Sequence, residues 1–403
     1  MTAAPIETVA AREILDNRLE PTLRVTVETP AGTGRADVPC GRSRGDHEAH
    51  DRRDGDDRYR GRGVKQAVAA VEAEVAPALV GRDATDQRGV DATLLDLDGT
   101  PTKERLGGNV VTGVSLAVLR AGAAATGLPL YRYVGGADAH VLPLPFFDLI
   151  EGGELAGGDL PFQEHQVVPV GADSIEEAVR WTAEVYYELG DILRAEYGEA
   201  SLNVGDEGGY NPLGIDDPRE AFDLELRAIE ECGYGGEFAL AADVAASHFY
   251  DRETETYALL GESMTRDELA DVYADLVADY PVVSLEDPLD QNDFAGVADL
   301  TDRLDVQIVG DDLFTTNPER LEEGIDRGAA NALLWKVNQV GTVTEATEAA
   351  RLATRNGYAI QVSERSGQTP DTWLADLAVG LHAGQIKTGV TRGERTEQYN
   401  RLL

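Results

Sequence analysis

Cysteine is almost absent from this chain. There are two in 403 residues, Cys40 and Cys232. They form no metal-binding or redox spacing, and Cys40 reads as a plain loop residue. Lysine is nearly as scarce. Of 35 basic residues only four are lysine: Lys65, Lys103, Lys336 and Lys387. Arginine cannot lose its proton at working pH, whereas a lysine can be tuned into a base. A chain with so little use for lysine as surface charge marks Lys336 and Lys387 as chemical residues. Positive charge as a whole is in deficit. Seventy-four acids leave a formal net charge of −39, which argues against nucleic acid and anionic membrane as partners. The acids are spread along the chain as a solvated shell, as in salt-adapted proteins. Uncharged stretches are broken by Gly, Thr and Asn before membrane-spanning length, so no transmembrane helix is expected. Residues 1–11 lack the basic-then-apolar pattern of a signal peptide, and a cytoplasmic protein is expected.

What is present is a series of strand-length apolar runs between residues 238 and 366. They cover 238–242, 282–285, 306–309, 332–335 and 358–362. Charged residues follow them: Asp243, Glu286, Asp311 and Lys336, then Glu364 and Arg365 after Ser363. From Glu286 onward the steps between these charges, 25, 25 and 28 residues to Asp311, Lys336 and Glu364, each hold one strand, one loop and one helix. Such units close into a parallel barrel with reactive residues at the strand C-termini. Three carboxylates and a lysine then share one rim, a hard-cation site with an amine beside it. The bland reading of acids at strand ends is a helix cap, and Asp287 and Asp312 fit it.

Before the barrel, residues 5–14 and 21–28 read as strands around the turn Pro30-Ala31-Gly32. Residues 64–79 and 91–97 have helical spacing. Asn109 is placed to cap a small-residue helix over 110–126 that stops at Gly127. Residues 1–136 form an α+β capping domain and residues 137–403 the barrel domain. Within the barrel, 141–150 and 163–170 read as strands and 174–195 as a long amphipathic helix. Thr265 with Glu268 and Thr342 with Glu345 fit capping boxes. Asn317-Pro318 and Asp217-Pro218 mark further helix starts.

At this point the residues are recognisable. The chain resembles enolase over nearly its whole length. The resemblance rests on Gly108-Asn109-Val110-Val111-Thr112-Gly113, Leu142-Pro143-Leu144-Pro145, Gln163-Glu164, Gly205-Asp206-Glu207-Gly208-Gly209, Ser284-Leu285-Glu286-Asp287-Pro288, Gly310-Asp311-Asp312-Leu313, Lys336-Val337-Asn338-Gln339, Arg365-Ser366-Gly367 and Gly384-Gln385-Ile386-Lys387-Thr388-Gly389. It implies an enolase-type (β/α)8 barrel behind an α+β N-terminal domain. It also implies reversible dehydration of 2-phosphoglycerate to phosphoenolpyruvate, a carbon–oxygen lyase reaction on a small phosphorylated carboxylate. Enolase-superfamily sites pair a lysine or histidine base with one or two Mg²⁺ ions. By resemblance, Asp243, Glu286 and Asp311 hold Mg²⁺, and Ser43 in a mobile loop helps hold a second ion. Lys336 takes the proton, and Glu207 with Glu164 delivers one to the departing hydroxyl. Gln163, Lys336, Lys387, Arg365, Ser366 and Glu364 match substrate-binding positions. A homodimer or higher homo-oligomer is implied in the same way.

The pattern breaks in two places. Leu155 and Glu364 stand where the family has active-site histidines. A carboxylate within ~5 Å of a phosphate is repelled by several kcal/mol at an effective dielectric near 20. Two alternatives stand: Arg42 or Arg44, in the loop Cys40-Gly41-Arg42-Ser43-Arg44-Gly45, pairs with Glu364 or takes the phosphate if the loop closes over the site, or Glu364 is itself a base or acid for another substrate. Three readings follow: an enolase with an altered phosphate pocket, an enolase-derived lyase on another 2-substituted carboxylate, and a non-catalytic enolase-like binding protein. Retention of Lys336 argues against the last.

Overall fold

The computed structural model describes residues 4–403. Two sheets organise the chain. Near the N-terminus, β1 (Thr8–Leu15), β2 (Pro21–Thr29) and β3 (Gly32–Asp37) form an antiparallel sheet in that order. The third strand was not expected; it begins at the last residue of the predicted turn. The helix Gly108–Thr126 packs across β2 and β3. It comes so close that a Cβ on Gly34 would strike the backbone at Ala117 and Ala121. This helix is long and apolar enough to cross a membrane, but 83% of it is buried inside the fold. It is a core helix. It starts one residue before Asn109, so Asn109 does not cap it. Instead the Asn109 carboxamide accepts the Arg52 N–H at 2.9 Å and tethers the segment after the 41–50 loop.

Eight strands close the barrel: β4 (Leu144–Glu151), β5 (Glu164–Val168), β6 (Ala239–Asp243), β10 (Val282–Glu286), β11 (Gln307–Gly310), β12 (Ala332–Trp335), β13 (Ala359–Ser363) and β14 (Gly384–Lys387). Between β6 and β10, β7 (Tyr250–Asp251), β8 (Thr256–Leu259) and β9 (Glu262–Met264) make a small antiparallel sheet that the sequence reading left out. The barrel is not wholly parallel, contrary to expectation. β5 runs antiparallel to both of its neighbours, β4 and β6. The connection from β4 to β5, residues 152–163, carries only the short helical turn Gly153–Leu155 and no crossover helix, as an antiparallel connection allows.

That reversal decides the rim. The C-terminal ends of seven strands and the N-terminal end of β5 face the same way. Register then aligns Glu151, Glu164, Asp243 and Glu286 as successive neighbours across β4, β5, β6 and β10. Below this row the lumen is filled by small apolar groups around Phe146, Val168, Ala239 and Ala241. Paired Gln307 and Gln385 carboxamides, 2.8 and 3.0 Å apart, satisfy one another there. Both capping boxes form, and Asn317 and Asp217 cap helices with proline in the first turn. These ends depend on neighbours within four residues, so sequence reveals them well.

Candidate active site

The rim collects nearly all the residues singled out from sequence, together with several that were not. Lys336 follows β12, and its amine donates to Asp311 Oδ2 at 2.6 Å. Gln339 donates to the other Asp311 oxygen at 2.7 Å. Burial raises the Asp311 carboxyl, but the ammonium of Lys336 beside it overrides this and leaves it below the ordinary value. Burial likewise pushes the Lys336 amine down, while Asp311 more than restores it, so the amine stays protonated in this pairing.

Lys387 ends β14 and points into the barrel mouth. Its ammonium lies 2.7 Å from Glu286, 3.1 Å from Glu164 and 3.2 Å from Asp243. It is therefore a counter-ion to the acid row. Gln163 donates to Asp243 at 3.0 Å, and Gln166 to Glu164 at 2.7 Å. Burial lifts the Glu164 carboxyl to about 7 against the pull of Lys387. Asp287 and Asp312 are not helix caps. Asp287 accepts the backbone N–H groups of Asp311 and Asp312 at 2.9 and 2.7 Å and so fixes the turn after β11.

The acids expected to hold a metal, Asp243, Glu286 and Asp311, end adjacent strands, and each is bonded to a lysine. Every donor is a carboxylate oxygen. Glu286 Oε1 is buried with no hydrogen-bond partner. Hard oxygen donors with an unanswered acceptor fit a hard divalent cation. Among the described residues two tighter groups also have the spacing for a metal: Asp287, Asp311 and Asp312, and separately Asp148, Glu164 and Glu207.

The loop 41–50 covers one side of the mouth. Arg365 makes a two-pronged pair with Glu48 at 2.8 and 2.9 Å and donates to the Ser43 carbonyl at 2.9 Å. Both charged groups are almost fully buried. Ser366 Oγ accepts the Arg42 N–H at 2.7 Å. The Ser43 hydroxyl lies 3.1 Å from His248 Nε2, and no contact with the three strand-end acids occurs among the described residues.

Arg42 and Arg44 do not meet Glu364. Arg42 pairs with Asp206 at 2.9 Å, and Arg44 sits 3.5 Å from Asp51 and 3.6 Å from Glu48. The partner of Glu364 is Arg395, from the C-terminal helix Gly393–Leu402, and both side chains are wholly buried. Arg395 also donates to the carbonyls of Arg365, Ser366 and Asp206 at 2.8, 2.8 and 3.0 Å. The predicted repulsion from Glu364 is thus answered from behind the site. Leu155 is buried, on the short turn after β4.

Sequence reasoning missed Glu151, Asp148, Glu48 and Arg395. Glu151 accepts the backbone N–H of Glu207 at 3.1 Å and of Gly209 at 2.6 Å, so it clamps the loop that carries Glu207. A Cβ on Gly205 would collide with it. The available signal was two acids inside the apolar run Phe146-Phe147-Asp148-Leu149-Ile150-Glu151. Glu48 and Arg395 sit in ordinary charged segments with no such signal.

Known proteins match this chain over nearly its whole length. Residues 6–134 match the family described as enolase, N-terminal domain, and residues 139–403 match enolase, C-terminal TIM barrel domain. The chain is 56% identical to the enolase of Methanopyrus kandleri over 99% of its length and 94% of that protein. It is 50% identical to the enolase of Thermococcus kodakarensis, with 99% and 94% covered. The Pyrococcus furiosus enolase is 51% identical, with 98% and 93% covered. With both domains matched and the acid row and lysine in place on the barrel rim, this chain belongs to the enolase family.

Proposed function

We propose that this chain is a lyase that interconverts 2-phosphoglycerate and phosphoenolpyruvate. The observation that carries the reading is Lys336, a largely but not wholly buried amine 2.6 Å from one of three strand-end acids, in a chain of the enolase family. Lys336 takes the proton next to the substrate carboxylate. In the pairing with Asp311 it holds a proton already. Once Asp311 is engaged elsewhere, burial favours the neutral amine that a base requires. Glu207, on the loop clamped by Glu151, and Glu164 opposite deliver a proton to the departing hydroxyl. Gln163 and Lys387 face the substrate carboxylate. Arg365 and Ser366, beneath the 41–50 loop, take the phosphate. Glu364 acts from behind by holding Arg395.

Asp243, Glu286 and Asp311 are the residues we assign to Mg²⁺, with Ser43 assigned to a second ion once the loop rearranges. Mg²⁺ bound there supplies Lewis acidity toward the substrate carboxylate. The family resemblance further supports a cytoplasmic homodimer divided at residue 136 into capping and barrel domains. The acidic surface disfavours nucleic acid and anionic membranes.

The test is phosphoenolpyruvate formation, followed by absorbance with Mg²⁺ in concentrated KCl. Turnover above about 1 per second is expected. Lys336→Ala is expected to lower it about 10³-fold or more, near the usual worth of a positioned base. Folded protein without turnover, or a fully active Lys336→Ala, sinks the proposal.

A further inference from the structure

The acid-rich rim holds a group of carboxylates that has no cation of its own. Lys387 spends its ammonium on Glu164, Asp243 and Glu286. Among the described residues, no lysine or arginine pairs with Asp148, Glu151 or Glu207. Asp148 is completely buried, and neither of its carboxylate oxygens has a hydrogen-bond partner. Glu207 Oε2 is also buried and unpartnered. One oxygen each from Asp148, Glu164 and Glu207 lie within 4.8 Å of one another, so the orphaned Asp148 is aimed at the other two.

That spacing is informative. Oxygens bound to one ion at about 2.0–2.6 Å lie no more than about 4–5 Å apart. Three such oxygens therefore fit on the shell of a single hard cation. The site is also held in shape. β4 carries Asp148, β5 carries Glu164, and Glu151 fixes the Glu207 loop through two backbone N–H groups. Ligands oriented from behind in this way are the usual accompaniment of a metal site. Buried charges need partners; Glu164 has Lys387 and Gln166, but both Asp148 oxygens and Glu207 Oε2 have none among the described residues.

We propose that Asp148, Glu164 and Glu207 bind a divalent cation at a site distinct from Asp243, Glu286 and Asp311. The site takes an oxygen-preferring ion such as Mg²⁺ or Mn²⁺. It shares Glu164 and Glu207 with the reaction proposed above, so a cation here and a transferable proton on Glu207 exclude one another. Binding itself does not depend on that reaction.

The test is a Mn²⁺ titration of the whole chain without substrate, with free Mn²⁺ read by its electron paramagnetic resonance signal. Two equivalents are expected for the unaltered protein. Asp148→Asn is expected to lose one, and Asp311→Asn to lose the other. Glu207→Gln, read in the same way, serves if Asp148→Asn fails to fold. Asp148→Asn with the full number of equivalents and unchanged affinity overturns the proposal. So does a single equivalent that Asp311→Asn abolishes and Asp148→Asn retains. A single equivalent lost only in Asp148→Asn supports the new site and removes the ligand set assigned to the other.

Discussion

Lys387→Met removes the cation at the centre of the acid row, and its cost follows from geometry. Three carboxylates lie 2.7, 3.1 and 3.2 Å from the ammonium. Each attraction is worth roughly 5–6 kcal/mol at an effective dielectric near 20. Taking the ions out of water costs several kcal/mol apiece and cancels most of that gain. Deleting the lysine does not recover the cost of burying the acids; it strands them. Breaking a buried pair from one side costs about 3–5 kcal/mol. For a chain of 403 residues the unfolding entropy is about 0.85 kcal/mol/K near 60 °C. Lys387→Met is therefore expected to lower Tm by about 4–6 °C in EDTA.

A divalent cation reverses the order of effects. The variant presents its carboxylates without a competing ammonium. Added Mg²⁺ is expected to raise its Tm by more than it raises that of the unaltered protein, because tighter binding to the folded state alone gives a larger shift. Thermal melts by circular dichroism, in EDTA and in excess Mg²⁺, read both quantities. A variant melting within about 1 °C of the parent in EDTA refutes the counter-ion role. Equal metal-induced shifts refute the link between Lys387 and cation binding.

Three other perturbations test different parts of the molecule. Glu48→Ala strands Arg365, so a loss of about 3–5 kcal/mol is expected, with faster tryptic cleavage after Arg42 and Arg44 as the loop 41–50 loosens; unchanged cleavage contradicts the clamp. Glu151→Ala releases the Glu207 loop and is expected to lower kcat about 10–100-fold through misplacement of a reacting group, with little change in KM and partial recovery in Glu151→Gln. Glu225 is buried with both oxygens unpartnered, and burial holds its carboxyl well above the ordinary 4.5. The unfolded chain then binds fewer protons above pH 4.5, so this group costs stability as pH rises. Glu225→Leu is expected to stabilise by up to about 4 kcal/mol at pH 7.5, at 1.36 kcal/mol per unit. The gain should fade towards pH 4.5 in urea melts, and a gain independent of pH rules out titration as its cause.

The sequence by itself determined the parts that depend on near neighbours. The five apolar runs became β6, β10, β11, β12 and β13 within a residue or so at each end. The strand-end charges kept their places because a strand's length fixes where it leaves the core. Helix caps formed where Thr265, Asn317 and Thr342 announced them, since a cap closes within three residues. The scarcity of lysine drew attention to Lys336 and Lys387, and both stand among the rim acids; scarcity alone does not separate them from Lys103, which is buried in an ion pair with Glu345.

Only the tertiary structure decided direction and partnership. No local pattern in 164–168 says that β5 runs against its neighbours; closure of the barrel after a connection without a crossover helix imposes it. That reversal places Glu164 on the rim beside Asp243. The partner of Glu364 lay 31 residues away at Arg395, not in the arginine-bearing loop 41–50. Glu48 reached Arg365 across 317 residues. Charge complementarity in a sequence offers many partners to every acid, 35 bases here for 74 acids. Burial selects among them, because a charge removed from water tolerates only a partner held within hydrogen-bond reach.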